Sequence, residues 1–270
     1  MRSFPEQARA FSVVPQRNAF GPRLVARAGD VWRAMQDVVV DQSASVGWTA
    51  ERYVAEDRMF IVRTMTVVHH REVRVSESLL GYTWPSRARR DLLFTREVRL
   101  FSQHDQALLA TATQEWALLS RALEPTRAGP DLYAAFQLTP GLPTTELPAF
   151  EPRAGGAVHH FTFRTWYLWM DPHAHVNHPA YVDYCDEGTN RLFARNGLDP
   201  QAASPVAEQV HFRGVIGPDV EVSVETMLIG RAGDAGVFRH QVRVEGRVCA
   251  TATTFRRRAG ADGAWVEALR

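Results

Sequence analysis

Between Asp171 and Gly188 the chain reads Asp-Pro-His-Ala-His-Val-Asn-His-Pro-Ala-Tyr-Val-Asp-Tyr-Cys-Asp-Glu-Gly. The first half of this stretch is dense in groups that exchange protons or hydrogen-bond. The Asp171 carboxylate can attack an electrophile or take a proton from water. His173 and His175 can donate or accept a proton, and Asn177 offers an amide. Read singly, Asp171 would serve as a helix cap or an ion-paired turn residue, and His173 as an exposed loop residue. His173-x-His175-x-x-His178 beside Asp171 contains zinc-ligand types, but the acidic spacing of a metallo-hydrolase motif is missing. We therefore expect neither metal nor cofactor.

The second half of the stretch predicts a helix. Asn177 is a suitable N-cap, Pro179 falls in the first turn where a missing N–H costs nothing, and Asn196-Gly197 supplies a stop. Tyr181, Tyr184, Gly188 and Leu192 recur at helical spacing, with Glu187 interrupting the apolar face. A carboxylate and two imidazoles thus sit just ahead of a helix N-terminus, where free N–H groups favour developing negative charge.

The elements that would position this helix occur twice. Phe11–Val14 reads as a short strand, and Asp30 as an N-cap for a helix over Val31–Val46 closed by Gly47. Strands follow at Met59–Val68, Leu79–Trp84, Leu92–Phe101 and Ala107–Leu119, with a basic bend at Pro85–Arg90. Residues 121–157, broken by six prolines and four glycines, read as a linker with a helical turn at Asp131–Phe136. The second half gives a strand at His159–Trp169, the helix, then strands at Gln209–Phe212, Asp219–Ile229, Val237–Val244 and Arg247–Arg256. Leu109-Ala-Thr-Ala-Thr-Gln-Glu-Trp116 recurs as Cys249-Ala-Thr-Ala-Thr-Thr-Phe-Arg256. An internal duplication is the economical reading. Counting back ten residues from Gly47 and from Gly197 reaches Asp37 and Glu187. Counting back further places Gly21 opposite Asp171 and Val25 opposite His175. One active site per chain is expected.

A length of 270 residues allows one large domain or two small ones. A net charge of +1 argues against a general nucleic-acid binder. Two cysteines, Cys185 and Cys249, are too few for a disulfide framework and point to a reducing compartment. No apolar leader follows Arg2, and no segment is long enough to span a bilayer, so a cytoplasmic location is expected.

The pattern Asp171-x-x-x-His175-Val-Asn177-x-x-x-Tyr181-x-x-Tyr184, followed by an acidic residue, resembles the signature of hotdog-fold thioesterases. These include the 4-hydroxybenzoyl-CoA type and the acyl-ACP (acyl carrier protein) thioesterases of plants and bacteria. Thr83-Trp84-Pro85-Ser86, the arginines after it and the strands to Trp116 are similar to the N-terminal hotdog of acyl-ACP thioesterases. The resemblance implies an α+β fold of tandem hotdogs, each an antiparallel sheet wrapped around a long central helix, forming a pseudo-dimer in one chain. Domains are expected at 1–120, a pocket wall, and 158–270, catalytic, around the 121–157 linker.

The resemblance further implies hydrolysis of an acyl-CoA or acyl-ACP thioester to a free acid. Asp171 would act as general base or nucleophile, with His173, His175 and Asn177 polarising or orienting. Trp32, Met35, Val39, Trp48, Tyr181 and Glu187 are the expected substrate-binding residues. The plant motif reads Asp-x-Asn-x-His-Val-Asn, so His173 stands where its catalytic Asn would be. Its later Glu-Cys pair is replaced by Val215 and Ile216 ahead of Gly217-Pro-Asp219, and Glu187 is the candidate substitute acid. Arg87-Ala-Arg89-Arg90 and Arg256-Arg-Arg258 are candidate contacts for CoA phosphates or an acidic carrier. No nucleic acid and no membrane partner is expected, and homodimers of such chains are allowed. A hydratase or dehydratase on the same fold, and a non-catalytic acyl-thioester binder, are the alternatives.

Overall fold

A computed structural model describes residues 4–6, 8–156, 158–258 and 263–269. In chain order it contains β1 (Ala10–Val13), α1 (Ala28–Ser45), α2 (Ala50–Ala55), β2 (Met59–His69), β3 (Leu79–Arg89), β4 (Leu93–Ser102), β5 (Leu108–Leu119) and α3 (Pro130–Ala135). These are followed by β6 (Glu151–Pro152), β7 (Val158–Arg164), α4 (Ala180–Arg195), β8 (Ala203–Phe212), β9 (Glu221–Ala232), β10 (Ala235–Val244), β11 (Arg247–Arg258) and α5 (Ala264–Glu267). Short 3-10 turns at Arg17–Ala19 and Tyr167–Trp169 precede the two long helices.

The chain divides into two units, residues 1–17 with 31–146 and residues 18–30 with 147–270. The first unit carries its strands in the order β1-β3-β4-β5-β2, all antiparallel. The second repeats it as β7-β9-β10-β11-β8, with the two-residue β6 also on β9. Alternation of apolar and polar residues gives each sheet one face for a helix. α1 buries Val31, Trp32, Met35, Val38 and Val39, and α4 buries Tyr181, Tyr184, Cys185, Gly188 and Leu192. Those spacings are the helical i, i+3/i+4 stripe.

Close approach of helix to sheet needs one small residue per contact. In the first unit it is on the strand: a methyl group on Gly81 of β3 would collide with Val38 of α1. In the second it is on the helix: a methyl group on Gly188 of α4 would collide with Thr226 of β9.

Several local expectations are corrected. Both long helices start elsewhere than at the expected caps. α1 begins at Ala28, so Asp30 lies in its first turn. α4 begins at Ala180 behind Pro179, and Asn177 belongs to the preceding turn. β3 runs through Pro85 to Arg89 because a register shift between Pro85 and Arg87 accommodates the proline. The strand read over His159–Trp169 stops at Arg164, where Thr165 turns the chain by bonding to Gly217 and Val220 carbonyls. Residues 121–146 group with the first unit. Arg99 donates to the Pro143 carbonyl at 2.7 Å and the Thr145 N–H donates to Thr113 Oγ1 at 2.6 Å, tying that stretch to the sheet. Arg99 is itself paired with the buried Glu97 at 3.5 Å.

Candidate active site

The Asp171 turn is built by backbone hydrogen bonds. Met170 and Val176 form an isolated antiparallel bridge, the Asp171 N–H donates to the His175 carbonyl at 2.8 Å, and Ala174 N–H donates to Asp171 O at 2.9 Å. Ala174 takes the left-handed conformation, φ 59°, to close it. The Asn177 N–H returns to the Trp169 carbonyl at 3.0 Å, and Ala180 N–H bonds the Asn177 carbonyl at 3.0 Å as the chain enters α4.

This geometry brings Asp171 and His175 together. His175 Nδ1 lies 3.3 Å from Asp171 Oδ2, and the side chains are 16% and 13% exposed. The other carboxylate oxygen, Oδ1, accepts the His173 N–H at 2.8 Å. His175 Nε2 is buried and makes no hydrogen bond among the described residues. A carboxylate held by a backbone amide thus lies against one imidazole nitrogen and leaves the other without a protein partner among the described residues. An imidazole held in this way can serve as an oriented general base. His173 is exposed, its ring stacked on that of His175 at 5.8 Å.

Val176 N–H donates to the Ile216 carbonyl at 2.8 Å. Val215 and Ile216, which stand where the plant enzymes' acid and thiol are expected, therefore adjoin the dyad turn. Val215 is exposed and Ile216 is buried, and neither is acidic. Glu187, the candidate substitute acid, lies on α4. Its carboxylate is exposed and pairs with Arg191 one helical turn on, at 2.6 Å. Cys185 lies in α4, but burial pushes its thiol up, so it stays protonated and unreactive.

Tyr181 and Tyr184 are buried and their rings pack at 5.8 Å. Trp32, Met35, Val39 and Trp48 are core residues of the first unit. Of the basic clusters, Arg256 is buried rather than a surface cation. It bonds Glu208 at 2.5 Å and Asp186 at 2.6 Å, because a guanidinium under a sheet must be neutralised. Arg257 pairs with Asp234 at 2.9 Å.

Sequence reasoning missed the aromatic approach to the turn. Trp166, Tyr167 and Leu168 are exposed, and Trp166 stacks on Trp169 at 5.0 Å. The signal was available: at the same positions of the first copy the residues are Gln16, Arg17, Asn18 and Ala19. Among the described residues no cluster of metal-ligating side chains occurs, and no helix is long and apolar enough to cross a membrane.

Residues 165–257 match the Thioesterase-like superfamily. No curated protein matches the chain. Among solved structures, the chain is similar to an assigned oleoyl thioesterase from Lactobacillus plantarum, with TM-score 0.79 and 18% identity over 95% of this chain and 99% of that one. It is also similar to the 12:0-ACP thioesterase from Umbellularia californica, with TM-score 0.74 and 16% identity over 93% of this chain and 94% of that one. An acyl-ACP thioesterase from Bacteroides thetaiotaomicron gives TM-score 0.73 and 13% identity over 92% and 97%. At these coverages the likeness takes in both units, so the fold is the tandem hotdog expected from the sequence.

Proposed function

We propose that the chain hydrolyses acyl thioesters, using the Asp171–His175 dyad to activate water. The observation that carries this reading is the buried His175 Nε2, left without a partner while Asp171 holds Nδ1. The superfamily match over the same residues and the thioesterases that share the fold support it.

In this mechanism Nε2 takes a proton from water as its oxygen adds to the thioester carbonyl carbon. The carbonyl oxygen becomes an oxyanion near the start of α4, where the positive end of the helix dipole opposes its charge. The C–S bond then breaks, and the imidazolium returns its proton to the leaving sulfur. The products are a free carboxylic acid and a thiol. Asp171 keeps Nδ1 protonated throughout and stabilises the imidazolium, which assigns it a supporting role rather than first attack. The leaving thiol belongs to CoA or to the carrier protein's phosphopantetheine.

Thiol release measured over acyl-CoA and acyl-ACP substrates of graded length tests the activity. An enoyl thioester added in parallel separates hydrolysis from hydration, since hydration leaves the C–S bond intact. Hydrolysis in ¹⁸O-water under single-turnover conditions separates the two roles of Asp171. Label in the Asp171 carboxylate identifies attack by Asp171, with water then opening the mixed anhydride at the Asp171 carbonyl. Label confined to the released acid, with no acyl-protein trapped by rapid quench, identifies direct water attack.

A further inference from the structure

Among the described residues three arginines are more than nine-tenths buried, and two of them are neutralised. Arg99, 4% exposed, faces Glu97, and Arg256, 2% exposed, faces Glu208 and Asp186. Arg96, 8% exposed, has no carboxylate partner among the described residues. Its Nη1 donates to Gln42 Oε1 at 2.8 Å, and its guanidinium lies 5.3 Å from the Phe136 ring centroid. A buried cation held only by a neutral amide and a ring face is a costly arrangement. Burial pushes its pKa down to about 10, which leaves it charged at neutral pH.

The fold does not require this cation. Arg96 is the cross-strand partner of Gln114, and Phe238 is the cross-strand partner of Thr254. Gln114 and Thr254 hold the same place in the duplicated Ala-Thr-Ala-Thr strand. Gln42 precedes Gly47 by the same count by which Leu192 precedes Gly197. The second unit therefore fills these two positions with Leu192 and Phe238, both in its apolar core. A second donor in the first unit packs against the same Phe136 ring. Trp48 is 1% exposed, its ring is 6.5 Å from that of Phe136, and its Nε1 makes no hydrogen bond among the described residues.

We propose that Arg96, Gln42 and Trp48 form a binding site in the first unit for an organic carboxylate with an apolar body. Trp48 Nε1 lacks an acceptor among the described residues, and the Arg96 guanidinium makes one side-chain hydrogen bond, to the neutral Gln42. One fixed positive charge balances a monoanion, and the planar guanidinium fork matches a carboxylate. The flanking Phe94, Leu118, Leu132 and Phe136 favour an apolar body over a hydrated inorganic anion. Such a carboxylate has two sources: a free acid of the kind thioester hydrolysis releases, or the distal carboxylate of a dicarboxylic acyl thioester.

Thermal melting of the whole protein with sodium octanoate, against octanol, octylamine and inorganic phosphate, tests the site without needing turnover. Octanoate should raise the midpoint saturably, by roughly 5 °C at a hundred times its Kd, and the other three should not. Arg96→Met should abolish that shift while melting, ligand-free, no lower than the parent. The double variant Gln42→Leu with Arg96→Phe copies the second unit and gives the same readout should the single variant fold poorly. Simple and ω-carboxyacyl thioesters then distinguish the sources. Inhibition of simple-substrate hydrolysis by octanoate in the parent that Arg96→Met relieves identifies a free acid. A preference for the ω-carboxy substrate, lost in Arg96→Met, identifies a distal carboxylate. No saturable shift in the parent, or a shift that both variants retain, overturns the proposal.

Discussion

The turn before α1 and the turn before α4 have one backbone and two chemistries. Phe20 and Ala26 bridge as Met170 and Val176 do, and Gly21 N–H bonds Val25 O at 3.0 Å where Asp171 N–H bonds His175 O. Leu24 and Ala174 both sit at φ 59°, and Arg27 N–H returns to Ala19 O as Asn177 N–H returns to Trp169 O. The left-handed residue is thus a requirement of the turn in either copy and not strain reserved for catalysis. What differs is side chains: Gly21 for Asp171, Arg23 for His173, Val25 for His175. Arg23 serves structure, donating to Ser204 Oγ at 2.8 Å and Ala203 O at 3.2 Å. A scaffold held by main-chain bonds is free to gain or lose a dyad without refolding.

The largest effect should come from breaking this contrast at the acid. Asp171→Asn should lower kcat for thioester hydrolysis by about 10²–10⁴-fold. Its melting curve should shift little, because the turn's backbone bonds remain. A large fall in melting temperature alongside the lost rate would assign Asp171 to structure instead.

The Glu208–Arg256–Asp186 cluster belongs to the second copy alone, since Arg256 occupies the place of Trp116 in the duplicated strand. Glu208→Ala should cost about 3–5 kcal/mol in urea unfolding, by leaving Arg256 under-compensated. A loss under 1 kcal/mol would mean that Asp186 suffices.

The two glycine contacts give the next effect. Gly188→Val should destabilise by about 1–3 kcal/mol through collision with Thr226. Adding Thr226→Gly, which puts the small residue on the strand as Gly81 is in the first unit, should recover part of that loss. Additive losses in the double-mutant cycle would refute direct contact.

A smaller, pH-dependent difference lies in the sheets. His240 bridges Thr226 and Thr254 at 2.9 Å each, fully buried, at the position that Val98 fills in the first unit. Burial holds its pKa down at about 3. Between that value and its ordinary 6.5 the unfolded chain binds the extra proton, so stability is present above about pH 6.5 and falls as pH drops. The slope from this group is at most about 1.4 kcal/mol per pH unit. His240→Val should flatten the profile over that window, and an unchanged slope would assign the acid sensitivity elsewhere.

Much of this was legible in letters. The helix stops Gly47 and Gly197 set a common register, and counting back from them found Gly21 and Val25 opposite Asp171 and His175, as the turns show. Main-chain pairing set by a turn leaves a count in the sequence. Long-range neutralisation does not. Arg256 read as one of a surface run because its partners are 48 and 70 residues away. The linker likewise hid its attachment, since Arg99 meets Pro143 across 44 residues. Glu187 looked like a spare acid because periodicity gives a helix face only within a turn or so, and Arg191 takes it on the exposed side. The sequence placed Asp171, His173 and His175 together ahead of the helix without showing which imidazole meets the carboxylate. That choice is made by the folded turn, in which the His173 N–H takes Asp171 Oδ1 and His175 Nδ1 meets Oδ2, a detail no pattern encodes.

The central claim meets its most direct test in one comparison: thiol release from a panel of acyl-CoA and acyl-ACP thioesters by the parent protein and by His175→Ala. The dyad account predicts release by the parent and a fall of at least about a hundredfold in the variant. Equal rates for the two proteins, or no thiol release by the parent on any of the panel, would contradict it.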